Sequence, residues 1–225
     1  MRLLNHLRVN RAAIAKLVPA EQREIIKLDG WAQVIGDTPI WKKTYGFAQS
    51  SGWIDKQVLR IDRRSLSRVA ANNDDPEICF LLYMLWGYVA GSGRGYLAVA
   101  KMLQDNELTD LLLAGREHVK SLAYRDAFKT YQRIDRLGMS FLTKVIYFES
   151  RDRHLAAYCP IFDNRVARKL VKSAIDLDDG WLCDAILCQR GEAWKSYETY
   201  CNELRRLAGH LSVELDQLEY WLFIE

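Results

Sequence analysis

Long apolar runs are missing from this chain. No stretch reaches the ~18 residues that a membrane-spanning helix requires. The longest, 78–90, carries Tyr83, Trp86 and Gly87 and suits a buried helix. Cysteine is sparse and unpatterned: Cys79, Cys159, Cys183, Cys188 and Cys201 form no CxxC pair and no Cys/His zinc spacing. That excludes a zinc finger, and an odd count without a framework points to reduced thiols in a cytosolic protein. The four His are scattered without metal-ligand spacing. Strand signals are few, since only Gln57–Ile61 alternates in the β manner. There is no internal repeat, no low-complexity stretch and no linker that divides the chain.

What is present is an ordinary globular composition. The 225 residues are 49% hydrophobic and 27% charged, enough to bury a sizeable core. Seven Trp and eleven Tyr are generous for this length, and aromatics serve cores and base-stacking pockets alike. The formal charge of +3 permits a polyanionic partner without requiring one. The N-terminus is a basic amphipathic segment with Leu3, Leu4, Leu7, Ile14 and Leu17 apolar. A transit peptide is one reading. The lack of a small-residue cleavage site and the early Glu21 and Glu24 favour a first structural helix.

Helical spacing recurs almost everywhere, so the expected fold is all-α, a bundle of about ten helices. Pro19 is placed to open a helix running through Ile25, Ile26 and Leu28 towards Ile35, and 36–61 reads as an irregular loop able to lie over a substrate. Asp62 is an N-cap candidate for a helix ending at Asn72–Asn73, and Asp75-Pro76-Glu77 opens a second helix ending near Gly91. The second of these is apolar on most of its circumference and therefore central. The glycines at 91, 93 and 95 lack the Lys-Ser/Thr of a phosphate loop and read as a helix–helix turn. Further helices are expected over 96–104, 107–115, 116–134, 192–207 and 212–223.

Chemistry concentrates in 136–170. Lys144 lies in the first turns of an apolar helix, flanked by Phe141, Leu142, Val145 and Ile146. A lysine so placed either snorkels to water or is kept partly dry. Dryness has a chemical use, because an amine attacks only when neutral and desolvation favours the neutral form. Asp163 precedes Val166, Ala167 and Leu170 in helical spacing and is a natural N-cap, whose backbone N–H partners favour a carboxylate's charged form. An amine and a carboxylate together can attack a sugar carbon and stabilise the developing positive charge. Taken singly, each residue is more often a surface lysine or a plain cap.

The stretch Phe141-Leu142-Thr143-Lys144-Val145-Ile146-Tyr147-Phe148, followed by Ile161-Phe162-Asp163-Asn164-Arg165-Val166-Ala167, resembles the bacterial 8-oxoguanine DNA glycosylase (OGG)-fold proteins. These in turn resemble the well-characterised 8-oxoguanine glycosylases of the helix-hairpin-helix superfamily. The resemblance implies a helical glycosylase-like unit over 1–225, able to form two lobes around a cleft, with the helix-hairpin-helix and the aspartate segment at 124–170. Lys144 and Asp163 are separated by nineteen residues, as in those enzymes. By resemblance Lys144 is the Schiff-base nucleophile and Asp163 the catalytic carboxylate. Ser140 and Leu142 stand where the well-characterised hairpin has glycines that let backbone N–H groups approach a phosphate. Gly138 is then the candidate for an unusual backbone conformation.

A glycosylase extrudes its nucleotide into a pocket, so the expected partner is double-stranded DNA with a flipped base. Gly138, Ser140 and Thr143 of the hairpin and Arg165 and Arg168 beyond Asp163 are the DNA-contact candidates. Trp86, Phe141, Trp221 and Phe223 are the base-pocket candidates. The resemblance implies base excision joined to strand cleavage through the lysine imine, with no cofactor and no metal. The expected setting is a bacterial cytoplasmic, nucleoid-associated monomer with no membrane partner. Two rival readings are a helical DNA-binding protein without turnover and a phage-defence enzyme removing modified bases such as glucosylated hydroxymethylcytosine.

Overall fold

The computed structural model describes residues 2–88, 93–174 and 193–224. In chain order it holds helices α1 (Arg2–Val9) and α2 (Arg11–Ile14), strand β1 (Arg23–Lys27), helices α3 (Asp29–Ile35) and α4 (Pro39–Ser50), and strands β2 (Ile54–Asp55) and β3 (Val58–Asp62). Helices α5 (Arg63–Asn72), α6 (Pro76–Gly87), α7 (Gly93–Met102), α8 (Leu108–Lys120), α9 (Tyr124–Gln132) and α10 (Met139–Arg151) follow. The last are α11 (Asn164–Ala174), α12 (Ala193–Leu211) and α13 (Leu215–Ile224). The chain divides into two compact units, Ala20–Tyr158 and Met1–Pro19 with Cys159–Glu225. Among the described residues no helix is long and apolar enough to cross a membrane.

In the unit Ala20–Tyr158 the central element is α6. Cys79 through Trp86 are all buried, so α6 has no solvent face along this length, as its sequence predicts. Asp75 caps it, its carboxylate accepting from the amides of Glu77 and Ile78 at 3.0 and 3.3 Å, and Pro76 occupies the first turn. Helices α4, α5, α8 and α10 pack around it. Asp62 caps α5 as expected, accepting from the Ser65 amide at 2.8 Å.

The main differences from the sequence reading lie in 19–61. The helix expected from Pro19 starts only at Asp29, because Arg23–Lys27 pairs as a strand with β3, Ile26 opposite Leu59. Strand alternation buries Ile26 and leaves Ile25 60% exposed, so two adjacent isoleucines that fit a helix serve a half-buried strand. The expected loop at 36–61 is instead α4 and a hairpin. Thr38 and Pro39, read as punctuation, are the N-cap and first residue of α4, with the Thr38 hydroxyl accepting from the Trp41 amide at 3.2 Å. The hairpin turns through Lys56 and Gln57, both left-handed at φ 47° and 64°, the conformation a two-residue hairpin needs.

Two helix boundaries also move. Helix α8 runs unbroken through Gly115 and Arg116, since that glycine gives close approach: a Cβ there would enter the Tyr131 ring. The glycine-rich stretch before Tyr96 is partly the start of α7 at Gly93, while Gly91 and Ser92 lie outside the described residues.

The other unit pairs α13 with α11, α12 and α2, and α1 with α11 and α12. Leu3 and Leu7 of the N-terminal segment are buried, as is Ile14. Cys159 and Cys201 are buried here outside any disulfide, as is Cys79 in the first unit, and Cys183 and Cys188 lie outside the described residues.

Candidate active site

Helix α10 opens at Gly138, whose carbonyl accepts from the amides of Phe141 and Leu142 at 2.9 and 3.0 Å. Gly138 itself is extended at φ −67°, ψ 162° and exposed. The left-handed residue of the turn between α9 and α10 is Arg136, at φ 64°. That corrects the expectation for Gly138, and an L side chain bears the cost of the conformation. Ser140 is half-buried. Thr143 is fully buried, its hydroxyl donating to the Ser140 carbonyl at 3.4 Å.

Lys144 is 6% exposed, which for a lysine is deep. Its Nζ donates to the Ser140 carbonyl at 3.2 Å and lies 5.3 Å from the centre of the Phe141 ring. Both contacts are made one turn back on α10 itself, so the amine is drawn against its own helix beside an aromatic face. Phe141 is stacked on Tyr88, centroids 3.9 Å apart and planes 21° apart, and burial raises the Tyr88 hydroxyl above its usual range. Gly87 makes room for Phe141, because a Cβ there would strike the ring. Trp31 continues the aromatic run 6.3 Å from Tyr88.

Trp86 lies one layer deeper. It is 4% exposed, meets Phe148 edge-on at 5.2 Å, and has the Arg63 guanidinium 5.7 Å from its ring. Arg63 also lies 5.2 Å from Tyr147, three residues beyond Lys144. Below these, Arg116 and Glu149 pair at 2.7 Å, and the Tyr83 hydroxyl donates to the same carboxylate oxygen at 2.9 Å. Burial works against the Arg116 charge, but the Glu149 carboxylate outweighs it and holds the guanidinium above its ordinary range. Burial also raises the Tyr83 hydroxyl well above its usual range, and the Glu149 charge adds to that. Sequence reasoning passed over Arg63, Arg116 and Glu149, since nothing in their spacing marks them as buried.

In the other unit Asp163 is 8% exposed and caps α11, its Oδ1 accepting from the amides of Arg165 and Val166 at 2.9 and 3.1 Å. The segment leading to it is pinned from α12. The Tyr197 hydroxyl donates to the Pro160 carbonyl and the Tyr200 hydroxyl to that of Ile161, each at 2.8 Å, while Phe162 lies 4.8 Å from the Tyr200 ring. Arg165 and Arg168 are exposed. The Arg165 guanidinium sits 4.8 Å from the Phe223 ring, and Lys169 sits 5.3 Å from Trp221. Trp221 is buried and Phe223 half-buried, so within this unit both rings lie beneath cations of α11. The base-pocket candidates thus fall in two groups, Trp86 and Phe141 around α10, Trp221 and Phe223 under α11. Among the described residues no group of three or more His, Cys, Asp or Glu is placed to hold a metal ion.

A mostly helical chain with a buried lysine following a short turn, and an aspartate capping the next helix, has the make-up of a helical DNA glycosylase-like protein. The chain belongs to the family described as "Putative 8-oxoguanine DNA glycosylase OGG-like protein", whose model matches residues 17–223. No curated protein and no solved structure matches the chain.

Proposed function

We propose that the protein is a bifunctional DNA glycosylase that removes a damaged or modified base and then cleaves the strand, with Lys144 as nucleophile and Asp163 as its carboxylate partner. The observation that carries this reading is the amine of Lys144, removed from water beside the Phe141 ring near the start of the helix that follows the short α9–α10 turn. Removal from water favours the neutral form of an amine, the form that attacks.

In this reading the Lys144 nitrogen attacks C1′ of the extruded nucleotide, the C1′–N bond to the base breaks, and the base leaves with the bonding pair and takes up a proton. The sugar ring then opens, giving an imine between Lys144 and C1′. Loss of the C2′ proton expels the 3′ phosphate, and water hydrolyses the imine to free the lysine. Asp163 stabilises the positive charge on the sugar in the first step. The Arg165 and Arg168 guanidiniums and the first-turn amides of α10 serve the DNA backbone.

The test is borohydride trapping on oligonucleotides carrying 8-oxoguanine or an abasic site. The expected outcome is a covalent adduct with the wild-type protein and none with Lys144→Ala. An undiminished adduct in Lys144→Ala removes this lysine from the reaction, and no adduct with wild-type protein on the abasic oligonucleotide removes the lyase step. Repeating the excision assay with a panel of modified bases, glucosylated hydroxymethylcytosine included, identifies the substrate.

A further inference from the structure

A cavity of about 510 Å³ opens in the unit Ala20–Tyr158, lined by α4, the segment entering β2, α5 and the α5–α6 turn. Its residues include Phe47, Trp53, Arg68, Asn72, Asn73 and Asp74. Helix α5 turns Arg63, Leu66, Ser67 and Ala70 into the core, where it packs on α6 and α10, and turns Arg68 and Asn72 to the cavity. The cavity is therefore on the opposite side of α5 from the helix that carries Lys144.

Its walls have a definite chemistry. Phe47 and Trp53 meet edge to face, centroids 5.7 Å apart and planes 78° apart. Trp53 is fixed at both backbone groups, its amide donating to Ala48 at 3.0 Å and its carbonyl accepting from Arg60 at 2.9 Å. Arg68 is exposed and makes no ion pair with any described residue, not even with Asp74 on the same cavity. The Asn72 amide nitrogen donates one N–H to the Arg68 carbonyl at 2.7 Å, and the Asn73 amide oxygen accepts from the Asp75 amide at 2.8 Å. Asn72 keeps its amide oxygen and a second N–H, and Asn73 keeps its amide nitrogen, so acceptor and donor groups stand side by side in sequence. Asp74 adds a second acceptor.

We infer that this cavity binds an unpaired nucleotide, with the base against Phe47 and Trp53, its edge read by Asn72 and Asn73, and its phosphate on Arg68. The volume falls within the range of small-molecule sites, about 300–1,000 Å³. An aromatic wall beside an uncommitted guanidinium matches the two halves of a nucleotide, a π-face and an anion. Paired donor and acceptor groups match a base edge. The inference stands apart from the Lys144 reading, since it requires no excision and no strand cleavage.

The test uses the full chain labelled with 5-fluorotryptophan. The Trp53 resonance is identified by its loss in Trp53→Phe, and the remaining tryptophans report that each variant is folded. The protein is titrated with the four deoxynucleoside 5′-monophosphates and with deoxyribose 5-phosphate as a base-free control. Expected is a saturable shift of the Trp53 resonance with nucleotides, weakened about tenfold or more in Arg68→Glu and in Phe47→Ala. Lys144→Ala should titrate like wild type. The inference is overturned if no nucleotide shifts Trp53, if deoxyribose phosphate shifts it equally well, or if both cavity variants titrate unchanged.

Discussion

The Arg116 guanidinium meets the Glu149 carboxylate at 2.7 Å with 3% of each side chain exposed. Tyr83 donates to the same oxygen, and Arg116 also reaches the Asn73 carbonyl at 2.9 Å. One ion pair thereby ties α6, α8, the α5–α6 turn and the helix of Lys144 together. Removing one partner leaves the other charge buried, which costs about 3–5 kcal/mol. Arg116→Met and Glu149→Leu should each lower the urea midpoint accordingly, while the double variant should recover a large part of the loss. Additive losses in the double-mutant cycle would remove the ion pair as the cause.

Tyr197 and Tyr200 lie three residues apart on α12, on one face, and hold the two carbonyls that precede Phe162. Their phenylalanine variants leave buried acceptors without those donors, at about 1–3 kcal/mol each. Because the segment ends at Asp163, the rate of base release should fall more than DNA affinity does. Single-turnover excision measured beside DNA binding checks this, and equal losses in both would mean that the tyrosines act only on folding.

Buried acids make the fold sensitive to alkali. Burial pushes the Cys79 thiol up to about 11, and burial likewise holds the hydroxyls of Tyr83, Tyr131 and Tyr197 well above their usual range. In the unfolded chain these groups ionise at their ordinary values, so above about pH 9 the unfolded state loses protons that the folded state keeps. These groups should leave stability unchanged below about pH 8, lower it from about pH 9 as Cys79 enters, and lower it more steeply above about pH 10 as the tyrosines join, each contributing at most about 1.4 kcal/mol per pH unit. Urea denaturation between pH 7 and 11 measures it, and a flat profile would contradict the burial of these acids.

Much of this architecture was legible from local patterns. The caps at Asp62 and Asp163, the helix opening at Asp75-Pro76 and the all-round apolar α6 each rest on a few adjacent residues, so the sequence displays them directly. The strand at Arg23–Lys27 was hidden because its partner is Val58–Asp62, more than thirty residues on, and Ile25-Ile26 suits either period. Gly115 looked like a break because its partner, Tyr131, is distant in sequence. The same limit applies to the site. The apolar neighbours of Lys144 and the helix start at Asp163 are visible in the sequence, whereas Arg63, Arg116 and Glu149 look like any charged residues on helix faces until packing places them inside.

The cap that Asp163 supplies and the charge proposed for it can be separated by substitution. Its Oδ1 caps α11 through two amides, and asparagine caps nearly as well as aspartate. Asp163→Asn should therefore keep thermal stability and DNA affinity close to wild type, whereas Asp163→Ala should lose about 1 kcal/mol of stability. If the carboxylate's charge acts on the sugar cation, both variants should slow base release by about a hundredfold or more, since a neutral amide supplies the cap without the charge. Single-turnover excision and thermal unfolding of the two variants decide the matter. A full rate in Asp163→Asn would leave Asp163 with the helix cap alone.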